Sequence, residues 1–174
     1  MKSLKPIYFD HQASTPINPK VLEVMLPFWT EAFGNPHSSE HAIGWAANKA
    51  IEKARGQIAK LIGSDKSEII FTSGASEANN IAILGTCTKT NLEKERDTIL
   101  VSSIEHKCVL EAAKAASEQN GFHLKIIPVD EFGFIDMEEL SSSISERVFL
   151  VSIAAVNNEI GTIQNIEEIS SLCR

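Results

Sequence analysis

The sequence predicts an α/β fold in which helices flank a mostly parallel sheet, and two observations support this fold class. Short, continuous apolar runs recur along the chain, as in strands that are covered on both faces. Segments with the helical spacing of apolar residues lie between these runs, and alternating strands and helices form βαβ crossovers with parallel strands. The four predicted strands are "IIF" (69–71), "ILV" (99–101), "LKIIPV" (124–129) and "VFLVSIAAV" (148–156).

Helices are predicted in order around these strands. Two precede the first strand, "NPKVLEVMLPFWTEAF" and the long, amphipathic "HAIGWAANKAIEKARGQIAKLIG", and three follow, "ASEANNIAILGTCTK", "KCVLEAAKAASEQNG" and "DMEELSSSIS". Gly121 is placed to stop the fourth of these helices. A last helix, "IEEISSLCR", follows the fourth strand without a further strand, so we expect an incomplete sheet. Residues 1–15 read as an extended arm and residues 16–174 as part of one domain.

The composition is that of an ordinary globular protein, with 43% hydrophobic and 22% charged residues among 174. A net charge of −7 with dispersed lysines and arginines argues against nucleic acid or an acidic membrane as a partner. No apolar run has the roughly 18–20 residues of a membrane span, and the N-terminus does not resemble a signal peptide. The expected location is the cytoplasm.

The three cysteines, Cys87, Cys108 and Cys173, lie far apart in the sequence. Their odd number and wide spacing fit a reducing compartment and exclude a disulfide framework. We expect each of them to be a small core residue.

The stretch "TSGAS" (72–76) lies where the first predicted strand passes into a helix. A helix N-terminus offers unpaired N–H groups and the positive end of a dipole, which suit a phosphate. Gly74 would let the backbone approach such a group, and Ser73 and Ser76 could add hydroxyl donors. The alternative is a serine N-cap without a ligand, which is the commoner outcome on spacing alone. The stretch is neither a Walker A loop nor a dinucleotide fingerprint.

Two further polar segments follow the ends of predicted strands. "SSIEHKCVL" (102–110) places His106 after the second strand, as a general base, a ring that stacks on a flat ligand, or a polar helix start. "VNNEIGT" (156–162) places Asn157 and Asn158 after the fourth strand, where they donate to an anionic oxygen or simply form a turn. In open α/β sheets, ligands bind beyond the carboxyl ends of the strands. The coincidence of three such segments therefore favours a binding site.

The segment "HSSEH" matches the H-x-x-E-H pattern of some zinc proteases, with His37, Glu40 and His41. Zinc binding would require the pattern inside a helix and a third ligand. Here it follows the turn signal "FGNP", so we expect it to open a helix and predict no metal site.

Five stretches carry a resemblance to a known family: "YFDHQASTP", "FGNPHSSEHAIGW", "FTSGASEANNIAI", "EHKCVL" and "VSIAAVNNEIGTIQ". Together they closely resemble cysteine desulfurases of the NifS and IscS kind, in the class V aminotransferase group. The resemblance implies the large domain of a type I pyridoxal-phosphate-dependent transferase, of which this chain would be an incomplete, N-terminal part. It also implies pyridoxal 5′-phosphate as the cofactor and L-cysteine as the substrate.

The resemblance also implies roles for individual residues. The turn of Gly74, Ala75 and Ser76 would bind the cofactor phosphate. His106 would stack on the pyridine ring and assist proton transfer. Asn158 would contact the phenolic oxygen and the substrate, and Asn35 in "GNP" is a further substrate candidate.

Other functional residues of the family are missing from this sequence. The family's Schiff-base lysine, pyridinium partner, sulfur-accepting cysteine and carboxylate-binding arginine have no match here, and Lys107 is expected to be a solvated helix residue. The chain alone is therefore predicted not to desulfurate cysteine. The expected partners are a second copy or a complementary C-terminal chain, and an iron–sulfur scaffold or another sulfur acceptor. Alternatives are an inactive scaffold module, or part of a related enzyme such as a selenocysteine lyase.

Overall fold

The computed structural model of the chain describes residues 6–88 and 95–174. It divides into two compact units, Met1–Phe71 (unit 1) and Thr72–Arg174 (unit 2). Unit 1 contains α1 (Pro19–Thr30), α2 (Ala42–Ile62) and a short 3-10 turn (Lys66–Glu68). Unit 2 contains α3 (Ala75–Ile83), β1 (Thr98–Ser102), α4 (Lys107–Asn120), β2 (His123–Ile127), α5 (Met137–Ser143), β3 (Val148–Ser152) and α6 (Ile166–Leu172).

Local sequence signals set the ends of the helices of unit 1. Asn18 caps α1 by accepting a hydrogen bond from the N–H of Lys20, and Pro19 occupies the first helical position, where its missing N–H costs nothing. The His41 ring caps α2 by accepting from the N–H of Gly44. At the other end, Gly63 adopts a left-handed conformation with a φ of 70° and terminates the helix. Both helices were predicted from the sequence, and both predictions are confirmed.

The predicted strand 69–71 is not a strand in this structure. Ile69 has an extended backbone, but its carbonyl accepts a hydrogen bond from the Arg55 guanidinium and not from a neighbouring strand. The side chains of Ile70 and Phe71 are exposed, and the Arg55 guanidinium lies over the Phe71 ring. An apolar run of three residues gives an extended segment but does not by itself find a partner in a sheet.

Unit 2 is built on a parallel three-stranded sheet in the order β2-β1-β3. In the register of this sheet, Val101 of β1 pairs with Ile126 of β2 and with Ser152 of β3. The three strands confirm the other three predicted runs, and their parallel arrangement confirms the predicted fold class. Gly121 ends α4 with a φ of 82°, as the sequence predicted.

Both faces of this sheet are covered, because alternate residues of β1 enter different apolar clusters. Ile99 and Val101 pack with α3 and α4 on one face, and Leu100 packs with α5 and α6 on the other. Full burial of one such side chain contributes about 1.5–3 kcal/mol relative to exposure. The central strand is therefore firmly held, and the loops that leave its carboxyl end start from a fixed point.

The cysteines differ in their surroundings. Cys87 is fully buried, as predicted, and burial raises the pKa of its thiol. Cys173 is exposed, so the expectation that it is a core residue is wrong. It is the C-cap residue that follows the last turn of α6, and the buried residue of this helix is Ile169. Cys108 is partly buried and has polar contacts. In the two described ranges, no helix is long and apolar enough to cross a membrane.

Candidate functional site

A cavity of about 300 Å³ lies in unit 2, beyond the carboxyl ends of β1 and β3. Its volume is at the lower end of the range for small-molecule sites. Residues from α3, from the loop and helix after β1, and from β3 and the loop after it line the cavity: Asn79, Ile104, Glu105, His106, Val109, Ser152, Ile153, Ala154, Asn157 and Asn158. Two residues predicted from the sequence, His106 and Asn158, thus share one cavity.

The N-terminus of α3 presents backbone donors without a side-chain cap. Gly74 is the N-cap residue, its carbonyl accepts the first helical hydrogen bond from Ala78, and within the described chain no side chain caps this end. The N–H groups of Ala75, Ser76 and Glu77 come before that of Ala78, which is the first to find an acceptor within the helix. The predicted alternative, a serine N-cap, is not observed, because the cap position falls on a glycine.

The space beside Gly74 is open. A Cβ built at this position meets no described atom within 4 Å. Its backbone is extended, with a φ of 165°, so the glycine is not required by backbone strain. The turn therefore leaves room for a group next to the helix N-terminus.

Ser73 is less available as a donor than the sequence suggested. Its N–H and its hydroxyl both donate to Glu77 Oε2, at 2.6 and 2.8 Å. These two hydrogen bonds, the backbone one first, lower the pKa of the Glu77 carboxyl. The carboxylate thus takes up the donors of Ser73 and adds a negative charge to the first turn of α3.

His106 is the N-cap residue of α4. Its side chain caps the helix and also lines the cavity. Its Nδ1 accepts from the N–H of Cys108 at 3.2 Å and lies 2.9 Å from Cys108 Sγ. Asn79 of α3 donates from Nδ2 to the same sulfur at 3.1 Å. The ring is therefore linked to a neighbouring helix through one thiol. Lys107 is exposed, as predicted.

The two adjacent asparagines after β3 have different surroundings. Asn157 is buried, donates from Nδ2 to the carbonyl of Ile104, and accepts from the N–H groups of Glu159 and Ile160. It therefore fastens the loop after β3 to the loop after β1. Asn158 is exposed to the cavity side of this loop and donates to Glu159 Oε1 at 3.3 Å.

Glu105 places a carboxyl group in the cavity wall. Partial burial raises its pKa, and a hydrogen bond of 2.5 Å from the Ala154 N–H opposes this shift. This contact is a second link between the loops after β1 and β3. Neither Glu105 and Asn79 nor the role of Asn157 in fastening the two loops is evident from the sequence, because their partners lie far away in the chain.

Two predicted features belong to unit 1. Asn35 is exposed, and its Oδ1 accepts from the N–H of His37 in a tight turn. The "HSSEH" segment runs through this turn into the N-cap of α2 at His41, so the prediction that it opens a helix is confirmed.

Three comparisons with known proteins agree with one another. The profile of the aminotransferase class-V family matches residues 7–174. The cysteine desulfurase IscS of Rickettsia bellii is 51% identical over 169 residues, which are 97% of this chain and 40% of that protein. The IscS of Rickettsia felis is 49% identical with the same coverage. The chain thus spans about 40% of the length of these curated relatives.

Two solved structures show the same fold. A NifS-like protein superimposes with a TM-score of 0.88 and 46% identity, over 96% of this chain and 45% of that one. SspA in complex with cysteine superimposes with a TM-score of 0.84 and 41% identity, over 95% of this chain and 46% of that one.

Proposed function

This chain belongs to the aminotransferase class-V family, and from that premise we propose that it is the N-terminal portion of a pyridoxal-phosphate-dependent cysteine desulfurase. The proposed reaction converts L-cysteine to L-alanine and transfers the sulfur to an acceptor thiol, for iron–sulfur cluster assembly or tRNA thiolation. The observation that carries the proposal is the cavity that His106 and Asn158 line together beyond the sheet. Relatives with the name cysteine desulfurase, and the neighbour solved with cysteine, support it.

The N-terminus of α3 fits the cofactor phosphate. Three backbone N–H groups without an intrahelical acceptor point out of this turn, and the helix dipole favours a negative charge there. The Ser76 hydroxyl adds a side-chain donor, and the open space beside Gly74 admits the phosphate oxygens. The Glu77 carboxylate opposes a phosphate through its charge. The backbone donors and the Ser76 hydroxyl must therefore hold the phosphate against this charge.

The cavity fits the ring of the cofactor. Asn79, three residues after Ser76 on α3, lies in the cavity wall, so the phosphate turn and the cavity are one helical turn apart. We propose that the His106 ring stacks on the pyridine and moves a proton, and that the Asn158 amide donates to the phenolic oxygen. Pyridoxal phosphate supplies the electron sink of the reaction when it is bound.

The described part of the cavity wall offers no amine to hold the cofactor covalently. None of the ten residues that line it is a lysine. We therefore expect the chain to bind the cofactor only through hydrogen bonds and stacking, and to release no sulfide from L-cysteine by itself. Asn35 is proposed to contact the substrate once the site is complete.

The proposed partners follow from the incomplete cofactor site and from the proposed reaction. A second copy of the chain or a complementary C-terminal chain would complete the site, and a sulfur-acceptor protein would remove the product sulfur. The three free cysteines fit the reducing cytoplasm as the place of function.

Titration of the purified chain with pyridoxal phosphate, followed by the cofactor's absorption and fluorescence, tests the proposal. We expect one saturable site for which inorganic phosphate competes. Ser76→Ala, His106→Ala and Asn158→Ala should each weaken binding. For Ser76 the loss should be about 10- to 150-fold, the range of one hydrogen bond to a charged group. In the presence of a thiol reductant, which reduces the persulfide product, sulfide release from L-cysteine should appear only when the remaining part of a relative is added.

Two variants serve as matched controls, because their side chains are exposed and far from the turn in sequence. Ser142→Ala in α5 and His37→Ala in unit 1 should leave the affinity unchanged. The proposal is wrong if the chain binds no cofactor with or without the added part. It is also wrong if binding is indifferent to all three site variants, as an inactive scaffold with nonspecific affinity would show.

A further inference from the structure

We propose that Cys108 and Asn79 are positioning residues for His106. In this arrangement the side-chain amide of Asn79 orients the Cys108 thiol, and the thiol holds the imidazole ring at the cavity wall. The use of the ring for cofactor binding rests on the function proposed above. The orientation of the ring by these two residues is independent of that function, since it concerns contacts within the chain.

Three contacts form a continuous chain from α3 to the ring. Asn79 Nδ2 lies 3.1 Å from Cys108 Sγ, and this sulfur lies 2.9 Å from His106 Nδ1. The N–H of Cys108 also donates to Nδ1, at 3.2 Å. Cys108 is partly buried and packs against the apolar cluster that α3 and α4 share. Its thiol is thus fixed on one side by packing and on the other by two polar neighbours.

The protonation of these groups follows from the backbone donor. A backbone N–H only donates, so Nδ1 must accept and the proton of the neutral ring lies on Nε2. The thiol hydrogen can then lie only between Sγ and Nδ1, because a proton on Nδ1 would face the Cys108 N–H. With its hydrogen directed to the ring, the sulfur presents its lone pairs to Asn79, which supplies an N–H. The thiol hydrogen and the Cys108 N–H then share the lone pair of Nδ1, and the Asn79 N–H meets the sulfur.

The thiol adds something that the backbone N–H does not provide. The χ2 torsion of a histidine is broad, so one hydrogen bond to Nδ1 leaves the ring free to tilt about that contact. A second contact at the same nitrogen, from a sulfur anchored to another helix, restricts the tilt. The plane of the ring in the cavity is then set by α3, which also carries the proposed phosphate turn.

The ring nitrogens of His106 report this arrangement directly. We would record ¹⁵N spectra of the full chain with labelled histidine, and of Cys108→Ala, Cys108→Ser and Asn79→Ala, using His106→Gln to assign the signal. In the unmodified chain, Nδ1 should resonate as an unprotonated, hydrogen-bonded nitrogen. Cys108→Ala removes the thiol donor but keeps the backbone N–H, so Nδ1 should stay unprotonated and shift toward the value of a more weakly hydrogen-bonded nitrogen. Asn79→Ala leaves the thiol free to turn away from the ring and should shift Nδ1 in the same direction. The hydroxyl of Cys108→Ser can still donate, so that variant should stay close to the unmodified chain.

Cys173→Ala is the matched control, because it removes an exposed thiol remote from the cavity in sequence and should leave the His106 signals unchanged. Far-UV circular dichroism would verify that each variant is folded. The inference is overturned if Cys108→Ala and Asn79→Ala both leave the ring signals unchanged, since the backbone N–H then suffices. A shift in Cys108→Ala alone would overturn the role of Asn79.

Cofactor affinity provides a second measurement. Cys108→Ala and Asn79→Ala should weaken pyridoxal phosphate binding about two- to tenfold, the range of one neutral hydrogen bond, and Cys108→Ser should restore most of it. Ring signals that respond in a chain without cofactor affinity would support this inference and contradict the proposed function. Tight cofactor binding together with unresponsive ring signals would support the proposed function and contradict this inference.

Discussion

The two units differ in where they place their large apolar side chains. In unit 2, both faces of the central strand are buried, and residues such as Leu100 and Phe122 are almost inaccessible. In the described part of unit 1, the buried apolar side chains are two alanines, Ala47 and Ala59, whereas Trp29 is 65% exposed. The cavity and its polar loops thus stand on the unit that has a core of its own. Function at loops carried by a rigid scaffold is the common arrangement in folded proteins.

The largest expected effect is a difference between two leucines. Leu100→Ala removes a fully buried side chain from unit 2 and should lower the free energy of unfolding by about 2–5 kcal/mol. Leu61→Ala, in α2 of unit 1, truncates a side chain that is 84% exposed and should change it by less than about 0.5 kcal/mol. Urea unfolding followed by circular dichroism measures both values. Equal losses would mean that unit 1 buries Leu61 in solution, and the contrast between the units would fail.

A smaller effect is expected from the asparagines. Asn157→Ala leaves the Ile104 carbonyl and two backbone N–H groups without their partner and should cost about 1–3 kcal/mol. Asn48, exposed on α2, makes one long hydrogen bond of 3.4 Å to the carbonyl of Pro36, so Asn48→Ala should be nearly neutral. Urea unfolding followed by circular dichroism measures the change in the free energy of unfolding for both variants. A neutral Asn157→Ala would show that the link between the two cavity loops carries no stability.

The fold could be predicted where its signals are local. The ends of α2 and α4 follow from glycines in a left-handed conformation, Gly63 and Gly121, which the sequence shows beside periodic apolar residues. The three observed strands are apolar runs flanked by helices. The run 69–71 looks the same in sequence, but membership of a sheet depends on a partner strand and not on the run itself. That information is not local, and the prediction failed there.

The residues of the site also divide into those with local sequence signals and those whose partners are distant in the chain. His106 and the asparagine pair could be placed at this edge because each follows the end of an apolar run, where α/β folds bind ligands. The choice of Asn158 from that pair came from the resemblance to cysteine desulfurases. Glu105 could not be found, since its partner Ala154 is 49 residues away and only the parallel pairing of β1 and β3 brings the two loops together. Asn79 was hidden for a similar reason: it contacts Cys108 across the packing of α3 on α4.

The smallest expected effect concerns charge in the cavity wall. Burial raises the pKa of Glu105 above its ordinary value of 4.5, so the folded state favours the protonated carboxyl. The stability gained from this is fully present below the unfolded pKa and is lost as the pH rises through the folded pKa. Glu105→Gln stays neutral and can still accept from the Ala154 N–H. It should therefore raise the Tm near neutral pH by at most a few degrees, since about 1 kcal/mol corresponds to roughly 2–4 °C at this chain length.

The pH dependence of this gain separates the burial of Glu105 from other effects of the substitution. The advantage of Glu105→Gln should vanish below about pH 4, where the native carboxyl is also protonated in both states. Glu23→Gln, on the exposed surface of α1, serves as the control and should change the Tm at neither pH. Thermal scans of the three proteins at pH 4 and pH 7 would decide. A gain in Tm that is equal at both pH values cannot come from a buried charge. The Glu105 carboxyl in unit 2 would then be as well solvated as that of Glu23 in unit 1.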